Sequence, residues 1–276
     1  MWGYNMEDTM IINKPLANTF GWLHVNGTKI DAPAEPCPAA EYVLDEGDER
    51  TVVIDEAAPP VHTTAAVGKN ATLRLVQIRR GGETNARVND VRVKCAEGAR
   101  FEWYRVVLGG ETYDNCSVEL LGDGSSFAAE IGYRLGGDDV LDVNCEAIHA
   151  GKKTESAINA SGVLSGRASK LLRGTIDLRK GCKGAVGNEL EDVLLMDETV
   201  RNRSVPVILC AEEDVVGNHG ATIGRLDENV VYYLESRGME RDAIYEMMAK
   251  AKLDAVIRKI PDEATRGALL GTEDEA

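Results

Sequence analysis

The sequence predicts a mainly β protein: a body of short strands over residues 46–226, a brief lead-in over 1–45, and helices over 227–276. Three observations carry this prediction. Apolar and polar residues alternate in short runs, as in Leu73-Arg74-Leu75, Val91-Arg92-Val93, Phe101-Glu102-Trp103, Val118-Glu119-Leu120 and Ile176-Asp177-Leu178, the pattern of half-buried strands. Glycines at 68, 98, 124, 151 and 181 punctuate these runs in turn-like clusters, at intervals of 30, 26, 27 and 30 residues. From Asp227 onward the apolar period becomes helical. Strand–turn–strand units that recur without intervening helices fit a sandwich or a β-solenoid.

Taken in order, residues 1–8 lack a basic region leading into an apolar one, so no signal peptide is read there. Residues 18–27 read as one brief helix or turn, and the proline-rich stretch 32–38 as a linker. After the strand region, Asp227 is a helix N-cap and Gly238 a C-terminal stop, with Val230, Tyr233, Leu234 and Arg237 on one side of the helix between them. A second helix carries Ile244, Met247, Met248, Ala251 and Ala255 on one stripe, and Pro261 follows its end. The pair reads as a helical hairpin that caps the β body or docks a partner, since methionine-rich helix surfaces adapt to partners. The acidic tail 271–276 reads as disordered.

Composition narrows the function. A net charge of −15 argues against nucleic acid and against an anionic membrane surface, both of which call for clustered Lys and Arg. No apolar run reaches membrane-spanning length. The six cysteines (37, 95, 116, 145, 182 and 210) are scattered, without the patterned spacing of a disulfide framework or zinc knuckle. They read as reduced thiols of a cytoplasmic protein.

The densest chemical signal is the stretch from Asn218 to Asp227, which sets His219 in a Gly-rich turn at a strand-to-helix junction. Such a histidine fits a metal ligand, an acid/base group or a hydrogen-bonded structural residue. Cys210 lies nine residues upstream, where a strand and a turn would bring it near, or else it is a buried apolar thiol. Cys182 follows Gly181 in a turn that would leave it exposed and reactive. Asp214 reads as a turn residue. Cys145 and His149 are four residues apart, about 13 Å on a straight strand and too far to share one metal unless the chain turns between them.

The C-terminal third resembles the SufB/SufD family of the SUF iron–sulfur cluster assembly system. The resemblance runs from Val205-Pro206-Val207-Ile208-Leu209-Cys210 through Asp214-Val215 and His219-Gly220-Ala221-Thr222-Ile223-Gly224-Arg225-Leu226-Asp227 to Tyr233-Leu234-Glu235-Ser236-Arg237-Gly238-Met239. Upstream, Gly174-Thr175-Ile176, Val193-Leu194-Leu195-Met196-Asp197, the segment from His149 to Ser156, and Leu120-Leu121-Gly122-Asp123-Gly124 extend it to roughly 115–260. It implies a right-handed parallel β-helix followed by C-terminal helices. It also implies pairing of two β-helices, as a homodimer or as a heterodimer with a paralogue. Docking of the system's ABC-type ATPase on the C-terminal helices is implied as well, with Tyr233, Arg237, Met247 and Met248 as candidate contacts. The same resemblance gives His219 a functional role near the dimer interface. A transient iron–sulfur cluster would be held by thiolate and imidazole ligands, with His219 and Cys210 as candidate metal ligands and Cys182 as a further cluster-binding candidate.

The chain departs from the SufB-like branch, which has Glu after this histidine where Gly220 stands here, and some SufD-like chains have Cys where Gly217 stands. The HGAT motif is thus SufD-like. The short lead-in resembles a compact version of the system in which one subunit serves as both types. No phosphate-binding G-x-x-x-x-G-K-S/T motif occurs, so nucleotide is bound by the partner and no enzymatic activity is assigned to the chain. The expected function is scaffold or scaffold partner in cluster assembly. The alternatives are an accessory subunit that does not ligate the cluster, or a β-solenoid carbohydrate-active enzyme, which would need paired carboxylates.

Overall fold

A computed structural model describes residues 9–19, 21–31, 39–55, 62–81 and 86–271. The linker read at 32–38, the leader region 1–8 and the last residues of the acidic tail, 272–276, lie outside the described residues.

Two short strands come first, β1 (Thr9–Ile12) and β2 (Thr28–Asp31), paired antiparallel with the three-residue 3-10 turn Gly21–Leu23 between them. Fourteen strands then follow: β3 (Ala39–Leu44), β4 (Glu49–Asp55), β5 (His62–Val67), β6 (Thr72–Arg80), β7 (Arg87–Cys95), β8 (Arg100–Leu108) and β9 (Glu111–Leu120), and after them β10 (Ser126–Leu135), β11 (Val140–His149), β12 (Glu155–Leu164), β13 (Ser169–Leu178), β14 (Ala185–Leu195), β15 (Arg201–Cys210) and β16 (Val215–Gly224). Odd-numbered strands from β3 to β15 form one seven-stranded sheet and even-numbered strands from β4 to β16 form the other. Every pairing within both sheets is parallel. The chain therefore alternates between two sheets, one strand each per coil. Such crossovers wind right-handed because of the inherent twist of L-residue strands. This is a parallel β-solenoid, and the sandwich is excluded: a sandwich would pair its strands antiparallel.

The glycine spacing follows from this topology. Gly68, Gly98, Gly124, Gly151 and Gly181 all lie in the corner that leads from the odd-numbered sheet to the even-numbered one. Backbone bonds stack the corners, as from Gly98 N to Asp123 O and from Gly124 N to Lys152 O. At Gly98 the backbone is left-handed, with φ +64°, which glycine adopts at least cost, while Asn70 and Lys153 hold the same conformation at the equivalent corners of other coils. Coil length drifts because corners differ, while the strands stay in register: Val140 pairs with Ser169, Glu155 with Val186, and Ser169 with Arg201.

The alternation read from sequence is the alternation between lumen and outside. Leu73, Leu75, Phe101, Trp103, Phe127, Val118, Leu120, Val143 and Leu172 fill a continuous dry core between the sheets. Phe101 and Phe127 are in-register neighbours and stack with ring centroids 5.6 Å apart. A buried polar run crosses the lumen where Trp103 Nε1 donates to Gln77 Oε1, Gln77 and Asn89 exchange bonds, Asn89 donates to Asp114, and Arg105 donates to Asp114 at 2.8 Å. Each buried polar group here has a partner on a neighbouring strand, which is what makes the burial tolerable. His149 closes one corner, its ring nitrogens 2.7 Å from Thr154 Oγ1 and 2.8 Å from Ser156 Oγ. Burial pushes its imidazole down to about 4, so it is a neutral stitch.

The C-terminal region holds three helices, α1 (Glu228–Glu235), α2 (Arg241–Ile257) and α3 (Glu263–Leu270), so the predicted hairpin gains a third member after Pro261. Asp227 caps α1 by accepting from Asn229 N, and Asp262 caps α3 by accepting from Thr265 N. The buried stripe of α2 is Ile244, Ala249, Leu253, Val256 and Ile257; Ala251 and Ala255 of the predicted stripe are exposed. The helix turns its larger aliphatics to the even-numbered sheet because the outer face of that sheet is itself apolar there. Ile257 and Leu253 meet Val76, Ile78 and Val106, and Ala249 meets Val163 and Leu194. Gly132 permits the close approach, an added Cβ there standing 3.0 Å from Val256 Cγ1. On α1 the buried residue is Val231, with Val230 exposed. Replacing the buried Ile257 by Ala should cost about 2–5 kcal/mol in denaturant unfolding and should release α2 before the solenoid melts, read as helix loss ahead of strand loss by circular dichroism.

Candidate functional site at the terminal rung

Strands β15 and β16 are the last of their sheets, so each has one neighbour and one unpaired edge. Most of their side chains are exposed or half-exposed, whereas those of β13, one rung back, are almost all buried. His219 lies in the middle of β16, not in a turn as the glycine-rich sequence suggested. The small residues around it suit an edge strand that packs closely on β14 below. Its register partner is Glu189 of β14. In-register neighbours on parallel strands point the same way, and Glu189 points into the lumen, so His219 does too. Gly217, two residues away on the same face, agrees: an added Cβ would meet Ile208 at 3.1 Å and Leu178 at 3.5 Å. His219 therefore stands at the open mouth of the lumen.

Gly220 faces the other way. A Cβ there would sit 3.4 Å from Leu190 Cδ1, and Leu190 is exposed on the outer face. A carboxylate at this position would project outside the solenoid, not beside His219.

Cys210 ends β15 and is exposed, its Sγ donating to Glu212 O at 3.1 Å. Leu178, its register partner, is lumenal, so Cys210 also faces inward. It sits at the corner, however, and Val215 faces it from the start of β16. His219 is four residues further along, about 13 Å away along the strand. The fold thus places His219 and Cys210 on the same open rung without bringing them together. Cys182 is 0% exposed and packs with Ile176, Leu178 and Ala185 beneath the same corner. The turn at Gly181, φ +101°, folds the thiol inward instead of displaying it, and burial pushes the thiol upward in pKa, away from the reactive thiolate. Asp214 serves the corner, its carbonyl accepting from Gly184 N. Among the described residues, no three His, Cys, Asp or Glu side chains converge as a metal-holding group.

Sequence reading missed the lumenal acids behind His219. Glu189 and Glu191 on β14 and Lys170 on β13 are all buried. Lys170 Nζ is hydrogen-bonded to Glu191 and lies 3.3 Å from Ser204 Oγ. Glu189 Oε2 has no hydrogen-bond partner. Burial, then the Glu191 charge, push the Glu189 carboxyl up to about 7. The Glu-Leu-Glu alternation was visible in the sequence, but it reads equally well as a solvated strand face.

On the helices, Tyr233 and Arg237 are exposed and stacked, the guanidinium 5.1 Å from the ring centroid. Met247 is exposed, and Met248 is half-buried against Val163 and Leu194. With Tyr232 and Val230, this leaves an exposed apolar surface on α1 and the start of α2. No described helix is long and apolar enough to cross a membrane.

The raised Glu189 carboxyl has a measurable consequence. The folded protein keeps this proton up to about 7, whereas an ordinary Glu releases it near 4.5. The folded state binds more protons in that window, so Glu189 makes folding less favourable as pH rises through it. Relative to the wild type, Glu189→Gln should gain stability across pH 4.5–7 by up to about 3 kcal/mol and hold that gain above pH 7, measured by urea unfolding at fixed pH values.

Comparison with known proteins agrees with this architecture. The family model described as "SUF system FeS cluster assembly, SufBD core domain" matches residues 40–252. Similar relatives include the iron–sulfur cluster assembly protein SufD of Bacillus subtilis, 27% identical over 173 residues, covering 62% of this chain and 40% of the relative. A SufBD family protein of Mycobacterium bovis is 25% identical over 198 residues, covering 71% of this chain and 23% of the relative. Another, from Staphylococcus haemolyticus, is 25% identical over 237 residues, covering 78% and 50%. The chain spans half or less of the length of these relatives. The fold, the order of the motifs and a match over most of its length together place this chain in the SufBD family of SUF-system iron–sulfur cluster assembly proteins.

Proposed function

We propose that this chain is a cytoplasmic, non-enzymatic assembly subunit that holds or relays a nascent iron–sulfur cluster at its terminal rung, in a complex with an ABC-type ATPase. The observation that carries the reading is the inward-facing His219 on a rung that lacks its outer neighbour. An unpaired edge of two ten-residue strands is a ready surface for a second solenoid, either another copy or a paralogue. Such pairing would close the lumen over His219 and add the ligands that one chain lacks. The cluster is cargo here: His219 supplies an imidazole inside the mouth, and Cys210, about 13 Å along the rung, offers a separate thiolate at the rim. The exposed surface of Tyr233, Arg237 and Met247 suits ATPase docking, because an aromatic–Arg pair with flexible methionines forms a strong interface anchor. The ATPase would supply the nucleotide chemistry in trans.

A second reading is an accessory subunit that shapes the complex without ligating the cluster. The distance between Cys210 and His219 and the outward direction of position 220 favour it.

Anaerobic co-expression with the SUF-type ATPase of the same organism, followed by affinity purification and visible spectroscopy, tests both. The assembly reading expects co-purification, with Tyr233→Ala combined with Arg237→Glu reducing the recovered ATPase by about tenfold or more. Failure to bind any such ATPase overturns it. Loss of cluster absorption in His219→Ala supports the ligating reading. Absorption that survives both His219→Ala and Cys210→Ser leaves the accessory role.

A further inference from the structure

The segment that precedes the solenoid is tied to the odd-numbered sheet by a buried polar knot. Asp142 of β11 accepts from Arg173, from Thr28 Oγ1 and from Asn13 Nδ2, and Arg173 also donates to Val25 O. Beside this knot Ile12 and Ile30 pack on Tyr113. The arm made of β1, β2 and the turn between them therefore lies on the outer face of the sheet. Between the arm and β15 an open cavity of about 320 Å³ remains. Its floor includes one register row of the outer face, Asp142 on β11, Leu171 on β13 and Arg203 on β15. His24 and Lys29 line it from the arm.

The charges around this cavity do not cancel. Among the described residues Asp142 is the one acid that lines it, and Arg173 already neutralises that carboxylate. His24, Lys29 and Arg203 are left, all three exposed. None of them has an ion pair or a side-chain hydrogen bond to another described residue. Two permanent cations that share one cavity repel each other, and an anion between them relieves the repulsion. This local excess occurs in a chain of net charge −15. A larger cavity on the same sheet face, about 640 Å³, shows the contrast: Lys14, Arg92 and Lys94 line it together with Glu41, Glu119 and Glu146, so its charges balance internally. Size and walls narrow the ligand further. The smaller cavity stands at the lower end of the small-molecule range, and Val140 and Leu171 give it an apolar wall. The planar guanidinium of Arg203 suits two oxygens of one carboxylate or phosphate, and the Lys29 ammonium adds a compact charge.

We propose that His24, Lys29 and Arg203 form a binding site for a small organic dianion, a phosphate ester or a dicarboxylate, at the seam between the N-terminal arm and the terminal strand β15. Two negative charges match Lys29 and Arg203, the imidazole of His24 adds a hydrogen-bond donor, and the apolar wall takes the carbon body of the ligand. The site does not rest on the assembly reading above: it opens on the outer face of the odd-numbered sheet, whereas His219 faces the lumen. Lys29 belongs to the arm and Arg203 to β15, so a bound anion bridges the two. It thereby steadies a strand that has a neighbour on one side only.

Isothermal titration calorimetry of the purified full chain with phenyl phosphate and, separately, with succinate tests the site. The expected result is about one anion per chain, with affinity reduced at least about tenfold in Lys29→Gln and in Arg203→Gln. Lys94→Gln removes an exposed cation elsewhere on the same sheet face and should leave binding unchanged. Preference for phenyl phosphate identifies the natural ligand as a phosphate ester, and preference for succinate identifies a dicarboxylate. The substituted side chains are exposed and unpaired, so the variants should keep the wild-type circular dichroism spectrum. Hydrogen exchange gives a second readout: the bound anion should slow amide exchange at residues 24–29 and 201–205 in the wild type and not in Arg203→Gln. Wild-type protein that binds neither anion overturns the proposal. So does a Lys94→Gln variant that loses as much affinity as Arg203→Gln, because the attraction would then be diffuse surface charge.

Discussion

In a two-sheet parallel solenoid, each lumenal side chain is covered by the rung before it and the rung after it. This constraint organises the rest of the molecule. It allows a narrow core built from Val, Leu and Ile with few aromatics, because in-register stacking supplies the contacts that bulky rings supply elsewhere. It requires buried polar groups to find partners on adjacent strands, as Gln77, Asn89, Asp114 and Arg105 do. It also fails at one definable place, the last rung, where β15 and β16 have no successor. Side chains of the kind that are core one coil earlier become surface there, and His219 is one of them.

The C-terminal helices answer a related constraint on the outside of the same sheet. A parallel sheet buried on both faces needs a second cover, and α2 provides it across the even-numbered strands. Ion pairs from Lys252 to Asp192 and from Lys259 to Glu130 hold the helix in register on the sheet, although they lie near solvent and add little stability. The helix surface that faces away from the sheet keeps Tyr232, Tyr233 and Met247 exposed. The family motif from Asp227 to Gly238 thus joins two structural jobs: it ends the solenoid and begins the element that covers it.

Electrostatics separates two kinds of buried ionisable group in this lumen. Arg105 with Asp114 is a matched pair, both side chains fully buried. His149 is neutral and hydrogen-bonded on both ring nitrogens. These serve structure. Glu189 differs in carrying a charge that its neighbours do not balance, and it lies nearest the open end. Glu189 thus combines a buried, raised carboxyl with a place next to the open end and an inward-facing histidine.

The strands, the glycine corners and the switch to helices could be read from the sequence, because each is a local consequence of side-chain period and backbone freedom. Leu73-Arg74-Leu75 alternates since one face must be dry, and Gly98 marks a corner since its left-handed backbone is most easily adopted by glycine. The motif around His219 was also legible, as a family resemblance. The chain could not reveal which residues face one another across the lumen. A period of two separates inside from outside but carries no information on what stands opposite, which depends on corner lengths summed over a whole coil. For that reason Cys182 was expected on the surface and is buried, and the α2 stripe was expected at Ala251 and is at Leu253. The distance between Cys210 and His219 was hidden for the same cause: they are nine residues apart in sequence yet far apart on one rung. Glu189 and His219 are thirty residues apart and stand side by side. Sequence determined the fold and its punctuation, and only the closed coils, with their fixed register, decided which side chains meet.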